Sequence, residues 1–333
     1  MTVARQAPAG AVLAVRDLRV TFATPDGIVE AVRGVSFDLG RGQTVGIVGE
    51  SGSGKSVATQ AMVGLVRGAT VSGQARFEGR DLLSLPPAAL RAVRGPGIAM
   101  VFQSPMSSLH PLHTIGWQIA EMIRAHEPVG RREARARAVE LLRRVGIPRP
   151  ERRIDDYPHQ WSGGMLQRAM IAMAIALRPR VLVADEPTTA LDVTVQAQIL
   201  QLLRDLQADF GTAIILITHD LGVVAELAHE VLVMYAGRLV ERAPAEALLR
   251  APLHPYTRGL LRSRPRIDGL KGRLTPIPGQ APSLIHPPPG CAFHARCERA
   301  EPRCAATVPS FEPWPDASGR AVACWAPDEG AAP

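Results

Sequence analysis

The sequence predicts an α/β fold, with a parallel-sheet core, an antiparallel β subdomain, an inserted helical subdomain and a small loop-rich C-terminal extension. Three observations carry this. Apolar runs of strand length, Thr44-Val45-Gly46-Ile47-Val48, Val181-Leu182-Val183-Ala184 and residues 213–218, alternate with stretches of helical periodicity. The first run enters the glycine-rich stretch Gly49-Glu50-Ser51-Gly52-Ser53-Gly54-Lys55-Ser56, which leads into a helix-forming segment. No apolar run approaches the ~20 residues that a membrane helix needs, so the chain is expected not to span a bilayer.

In chain order, residues 13–22 and 28–39 alternate apolar and polar side chains around Pro25-Asp26-Gly27, the pattern of an antiparallel hairpin. Strand 44–48, loop 49–56 and helix 57–63 follow. The spacing G-x-x-x-x-G-K-S has a mechanical reason: glycines let successive backbone N–H groups curl around nucleotide phosphates, and the helix N-terminus adds its dipole. Lys55 would bridge β- and γ-oxygens, and Ser56 would hold Mg²⁺ through its hydroxyl. The plain alternative is a structural turn. Against it, Lys55 and Lys271 are the only lysines among 38 basic residues, and a planar guanidinium does not replace a compact ammonium between phosphates.

A strand over 72–79, a helical turn over 86–94 and a buried strand over 98–102 ending at Gln103 come next. From 114 to 146 the pattern is helical with a break near Pro128-Val129-Gly130; Ile115, Ile119, Met122 and Ile123 share one face, and Val139, Leu141, Leu142 and Val145 another. The arginine-rich part, 131–144, reads as a solvated face. Met106, Leu109, Leu112 and Trp117 form either an exposed apolar patch or helical core. Ser162-Gly163-Gly164 opens a helix through 177 that Pro179 stops, a second helix runs from 193 to about 209, and the last core strand delivers His219-Asp220.

The carboxylates Asp185 and Glu186 at the end of a buried strand suit a nucleotide site: Asp185 holds the Mg²⁺ hydration shell and Glu186 polarises the attacking water. Helix capping is the alternative reading. Gln103 can contact Mg²⁺ or water and His219 the γ-phosphate, although either alone could be an ordinary structural polar residue. A polar residue and two glycines at a helix start make an anion site. That helix, about 14 residues and so roughly 21 Å long, holds the anion site far from its own phosphate loop. The arrangement predicts a head-to-tail dimer with two ATP molecules at its interface.

All 4 cysteines, Cys291, Cys297, Cys304 and Cys324, fall in the C-terminal part, among many prolines. The N-terminus shows no secretory signal, which predicts a cytoplasmic chain with reduced thiols rather than disulfides. A metal centre would supply cross-links to this loop-like segment. The spacing C-x5-C-x6-C-x19-C lacks the paired pattern of structural zinc, and four thiolates suit a [4Fe–4S] cluster, with Zn²⁺ the alternative. His286 and His294 are possible substitute ligands or plain loop residues. The net charge of +7 suits phosphates, acidic lipid or an acidic partner, or simply reflects arginine-rich composition.

Residues 49–56, Gln103, 161–165, 181–186, Ala190-Leu191-Asp192 and His219 resemble, in order, the P-loop, Q-loop, signature, second nucleotide motif, D-loop and switch histidine of ABC transporter ATPases. Val101-Phe102-Gln103-Ser104-Pro105-Met106 and Ser162-Gly163-Gly164-Met165 are similar to the oligopeptide/dipeptide permease branch. His254-Pro255-Tyr256-Thr257 and residues 279–324 resemble that branch's C-terminal extension. The resemblance implies a P-loop NTPase with a RecA-like core, divided into a nucleotide-binding domain 1–250, with a helical subdomain at about 104–178, and an extension 251–333. It implies ATP bound by Gly49, Glu50, Ser51, Gly52, Ser53, Gly54, Lys55, Ser56, Gln103 and Asp185, with Mg²⁺ on Ser56, Gln103 and Asp185. Glu186 and His219 become catalytic, Ser162, Gly163, Gly164 and Met165 serve the opposite ATP, and Asp192 is the D-loop acid. Some members of the branch carry an iron–sulfur cluster in this extension.

Implied partners are a second ATPase subunit in a heterodimer, two transmembrane permease subunits docked through 103–144 and, indirectly, an extracytoplasmic substrate-binding protein. The chain is then peripheral on the cytoplasmic face of the membrane and binds no nucleic acid. Two departures stand out: Trp161 and Met165 replace the family's usual leucine and glutamine, and Phe22 is the nearest aromatic for adenine, since ungapped alignment puts Asp26 at that place. Nickel or small-solute importers share much of the pattern. ABC-type ATPases acting on nucleic acid carry long heptad arms or large insertions that this chain lacks, and an iron–sulfur assembly ATPase would leave the extension without a reason.

Overall fold

The computed structural model describes residues 10–189, 191–263, 276–315 and 319–328. Ala190 of the expected D-loop, Lys271 and residues 1–9 lie outside the described residues. The chain runs β1 (Ala11–Thr24), β2 (Gly27–Gly40), β3 (Thr44–Val48), α1 (Lys55–Met62), β4 (Ala69–Phe77), β5 (Arg80–Asp81), α2 (Pro87–Val93), β6 (Ile98–Val101), α3 (Pro105–Ser108), α4 (Ile115–Arg124), α5 (Arg131–Arg144) and α6 (Pro150–Arg153). It continues α7 (Gly163–Ala174), β7 (Val181–Asp185), α8 (Val193–Phe210), β8 (Ala213–Thr218), α9 (Leu221–Leu227), β9 (Glu230–Tyr235), β10 (Arg238–Pro244), α10 (Ala245–Arg250), α11 (Pro255–Arg262), α12 (Pro302–Ala306), β11 (Glu312–Pro313) and β12 (Ala321–Val322). None of the described helices is long and apolar enough to cross a membrane.

These elements form two compact units. One is built mainly from 84–217 and holds the parallel strands β6, β7 and β8 together with the helices from α2 to α8. β7 and β8 are buried along their whole length, which is why they read as continuous apolar runs rather than alternating ones. Around α4 the expected face is found, with Ile115, Ile119 and Ile123 buried. α5 buries small residues, Ala134 and Ala138, together with Leu142. Its arginines are exposed in ion pairs, Arg135 with Asp155 and Arg143 with Glu140 and Glu151, so the solvated-face reading holds.

Part of the expected apolar patch does not. Leu109 is only 3% exposed, whereas Met106 and Leu112 are 59% and 76% exposed. The turn of α3 folds the Leu109 N–H back to Pro105 O and carries the side chain inward, a local reversal that apolar spacing cannot show.

The other unit holds the hairpin, the phosphate loop and everything from 218 on. β3 pairs in parallel with β9, Val45 opposite Glu230 and Val48 opposite Val233. At Gly46 an added Cβ would sit 3.1 Å from Val224 and 3.3 Å from Ala228, so glycine lets α9 lie close against β3. β10 extends β9 antiparallel, and β12 then pairs with β10, Glu241 opposite Val322. The C-terminal segment is thus more regular than its prolines suggest. It contributes α11, α12 and two short strands, and Pro255 and Pro302 stand at the first positions of the two helices, where a missing N–H costs nothing.

Candidate functional site

β3 delivers the phosphate loop directly into α1. Gly54 has φ +98°, and a Cβ there would meet Ala31 O at 2.3 Å, so the loop's curl is closed to any larger residue. The Lys55 ammonium is buried and donates to Gly49 O at 2.8 Å and Glu50 O at 2.9 Å. The loop therefore wraps its own cation, which fixes where a phosphate oxygen would find positive charge.

In the 84–217 unit, β7 ends at buried Asp185, opposite Ile217 of β8. Glu186 follows with φ +48°, a left-handed conformation that costs a non-glycine residue about 1–2 kcal/mol and that marks functional sites when a local network holds it. Here the network is explicit. Glu186 N–H donates to Ile217 O at 2.8 Å, and its Oε2 accepts from Gln103 Nε2 at 2.9 Å and from Thr189 Oγ1 at 2.8 Å. Two residues 83 apart in sequence, Glu186 read as catalytic and Gln103 as a contact to Mg²⁺ or water, are thus brought together, and Thr189 joins them without any sequence signal.

Ser162 caps α7, its Oγ accepting from Met165 N–H at 3.4 Å. A Cβ on Gly163 would meet nothing within 4 Å, while one on Gly164 would meet Val195 at 3.0 Å. Gly164 therefore has a packing reason, and Gly163 has none among the described residues. Asp192 caps α8 through Val195 N–H at 2.9 Å. His219 is exposed just after β8, and Asp220 caps α9. Phe22, the aromatic nearest the expected adenine contact, is half-buried on β1.

The four cysteines converge. Cys291, Cys297, Cys304 and Cys324 line one cavity together with His254, Phe293 and Trp325. All four are free thiols. Burial pushes the Cys324 thiol up to about 11, with the neighbouring sulfurs adding to it, and burial raises Cys291 and Cys297 likewise. Yet among the described residues no group of three or more His, Cys, Asp or Glu side chains is placed to hold a metal ion. The expected metal centre is therefore present only as a convergence of donors. Of the two histidines weighed as substitutes, His294 lines this cavity, with its ring against Cys291 O.

Two contacts to the phosphate loop carry no signal in the sequence, although Tyr256 itself stands in the His254–Thr257 stretch. Tyr256 of α11 accepts the Glu50 N–H on its hydroxyl at 2.8 Å. Arg296 holds the Glu50 carboxylate at 2.7 and 2.9 Å. The second contact joins residues 246 apart, and nothing in a single sequence marks such a pair.

Residues 32–189 match the ABC transporter family, and residues 240–304 match the family described as oligopeptide/dipeptide transporter, C-terminal region. The chain is 49% identical to the oligopeptide transport ATP-binding protein OppD of Salmonella typhimurium over 97% of its own length and 96% of that protein's. It is 47% identical to the dipeptide transport ATP-binding protein DppD of Bacillus subtilis, covering 96% and 95%. Among solved structures, the dimeric post-hydrolysis state of the ATP-binding cassette MJ0796 bound to ADP and Pi superposes with TM-score 0.64 at 28% identity, covering 70% of this chain and 98% of that one.

Proposed function

The chain belongs to the ABC transporter ATP-binding family, and we propose that it is the ATP-hydrolysing subunit that drives a membrane importer for oligopeptides or dipeptides. The observation that carries the chemistry is the left-handed Glu186 held by Gln103 and Thr189 at the end of β7. A carboxylate fixed in that way can orient and polarise a water for in-line attack on a γ-phosphate. Lys55 and the loop N–H groups neutralise the phosphates, Ser56 and Asp185 serve Mg²⁺, and His219 reads the γ-phosphate. These roles are carried over residue by residue from the family. The domain division at 250 and 251 is part of the same proposal.

Gly163 supports the dimer. Glycine there answers no packing demand among the described residues, which is what an approach by another subunit's phosphate would leave behind. The names of the relatives, oligopeptide and dipeptide transport ATP-binding proteins, support peptide over nickel as cargo. Exposed Met106, Leu112 and Trp117 support a docking face for transmembrane permease subunits.

For the thiol cavity we favour iron–sulfur over zinc. One zinc ion would gather all four sulfurs at about 2.3 Å, whereas an iron–sulfur cluster has several irons to share among four cysteines. What supports the reading is the donor set alone: four cysteines and no carboxylate line the cavity. Such a cluster would cross-link the extension.

The reading is tested with Glu186→Gln. It should bind MgATP with the parent's affinity, cut turnover by about 10²-fold or more, and elute as a nucleotide-loaded dimer. Turnover at the parent rate would refute the catalytic assignment. Copurification of the wild-type chain with permease subunits encoded beside it, and peptide-stimulated hydrolysis in that complex, test the transport reading.

A further inference from the structure

We propose that Arg296, far along the C-terminal extension, is a positioning residue for the phosphate-binding loop, and that the thiol-lined cavity beside it governs its hold. The inference rests on ATP binding at 49–56. It concerns Glu50, the loop residue whose side chain the G-x-x-x-x-G-K-S pattern leaves unspecified.

A carboxylate in a loop that receives a nucleotide's phosphates works against its own ligand unless its charge is cancelled. Arg296 cancels it. Both guanidinium Nη atoms donate to Glu50, Nη1 to Oε2 at 2.7 Å and Nη2 to Oε1 at 2.9 Å. The bidentate fork is anchored from behind by Nε donating to Pro278 O at 2.8 Å and by Nη1 donating to the Tyr235 hydroxyl at 3.2 Å. The Arg296 side chain is 7% exposed and that of Glu50 29%, so the pair is partly shielded from water, and the bond to Glu50 raises the guanidinium's pKa still further.

The same residue is held by its main chain. Tyr256, also of the extension, accepts the Glu50 N–H at 2.8 Å, and Glu50 O accepts from the Lys55 ammonium at 2.9 Å. Two side chains of the extension therefore hold Glu50, Tyr256 by its N–H and Arg296 by its carboxylate, and the carbonyl of the same residue helps to aim the phosphate-binding lysine.

The thiols bear on this clamp through one turn. Backbone bonds from His294 N to Cys291 O at 3.1 Å, from Arg296 N to Phe293 O at 3.0 Å and from Cys297 N to His294 O at 3.2 Å close the segment between two of the cysteines. Arg296 leaves that turn toward Glu50. Phe293 lines the thiol cavity and packs edge-on against Tyr235, with centroids 5.3 Å apart, and against Tyr256 at 5.4 Å. Cys291 and Cys297 flank the turn that carries the clamp, so a change in the spacing of their sulfurs acts on both of its ends.

The test measures the affinity of the full chain for Mg²⁺ with a non-hydrolysable ATP analogue, alongside thermal unfolding. Arg296→Ala should weaken binding about tenfold by leaving Glu50 uncompensated, and Arg296→Lys, which keeps charge without the fork, should fall between. Adding Glu50→Gln to Arg296→Ala should restore affinity toward the parent, a rescue that a purely structural role for Arg296 would not give. Folded Arg296→Ala and Arg296→Lys proteins that both bind within twofold of the parent, or a double variant no better than Arg296→Ala, overturn the positioning role. Cys297→Ser should weaken binding in the parent and have no further effect in Arg296→Ala. An equal effect in both backgrounds removes the thiols from the clamp. A parent chain that binds no analogue would instead overturn the nucleotide reading itself.

Discussion

Acidification should loosen this protein through one buried ring. His254 caps α11, its Nδ1 accepting the Tyr256 N–H at 3.0 Å, and the side chain is almost wholly buried beside the thiol cavity. Burial pushes its pKa down to about 3, against about 6.5 in an unfolded chain. Between those values the unfolded state takes up a proton that the folded state refuses, so stability is intact above pH 6.5 and falls as pH drops through the window. At pH 5.5 the unfolded imidazole is about ten-elevenths protonated, which stabilises the unfolded chain by RT ln 11, or about 1.4 kcal/mol; at pH 7.5 the same term is below about 0.1 kcal/mol. His254→Asn keeps a capping acceptor and loses the titration. Urea unfolding at both pH values should show the parent losing about 1.4 kcal/mol more than the variant. Equal losses in the two proteins would mean that His254 is not the proton-refusing group.

Gly163→Asp should abolish hydrolysis while leaving the isolated subunit's MgATP affinity within a fewfold of the parent, because the position faces open space in its own chain; a tenfold loss in the monomer would count against a role toward a second subunit. Gly54→Ala should lose nucleotide binding measured by filter retention, since its Cβ would lie 2.3 Å from Ala31 O in a backbone region that alone costs alanine about 1 kcal/mol. A cysteine at exposed Met106 should crosslink to a permease subunit in the assembled complex and one at buried Leu109 should not; the reverse pattern would displace the dock. Glu241→Ala should cost about 3 kcal/mol, because the buried carboxylate accepts the N–H groups of Leu253 at 2.8 Å and His254 at 2.9 Å, and near-parental stability in denaturant would show those donors finding other partners.

Legibility in the sequence followed the range of the interaction. The phosphate loop, β7 with Asp185 and the cap at Ser162 are local: each depends on a few consecutive residues whose backbone demands are written in glycine, apolar and polar types. The meeting of Gln103 with Glu186 could be read only as a shared strand-end position, and Thr189 not at all, since a hydroxyl three residues on carries no distinctive pattern. The convergence of the cysteines was readable from composition, but the spacing of their sulfurs was not. Glu50 with Arg296 was invisible, because arginine is so common in this chain that one more beside a cysteine carries no signal.

The pairing of β12 onto β10 has a consequence for how the protein stays in solution. An uncovered β10 would present a row of unpaired N–H and C=O groups, a template on which another chain could add a strand. β12 covers it at Glu241 and Arg242, and the outermost position passes to β11, whose two residues are a glutamate and a proline. Proline cannot donate to a further ladder and the charge resists stacking, so the sheet ends on a blunt edge. A minimal cassette cut after α10 would expose the sticky strand that the extension conceals, and oligomers built edge to edge would be its first symptom.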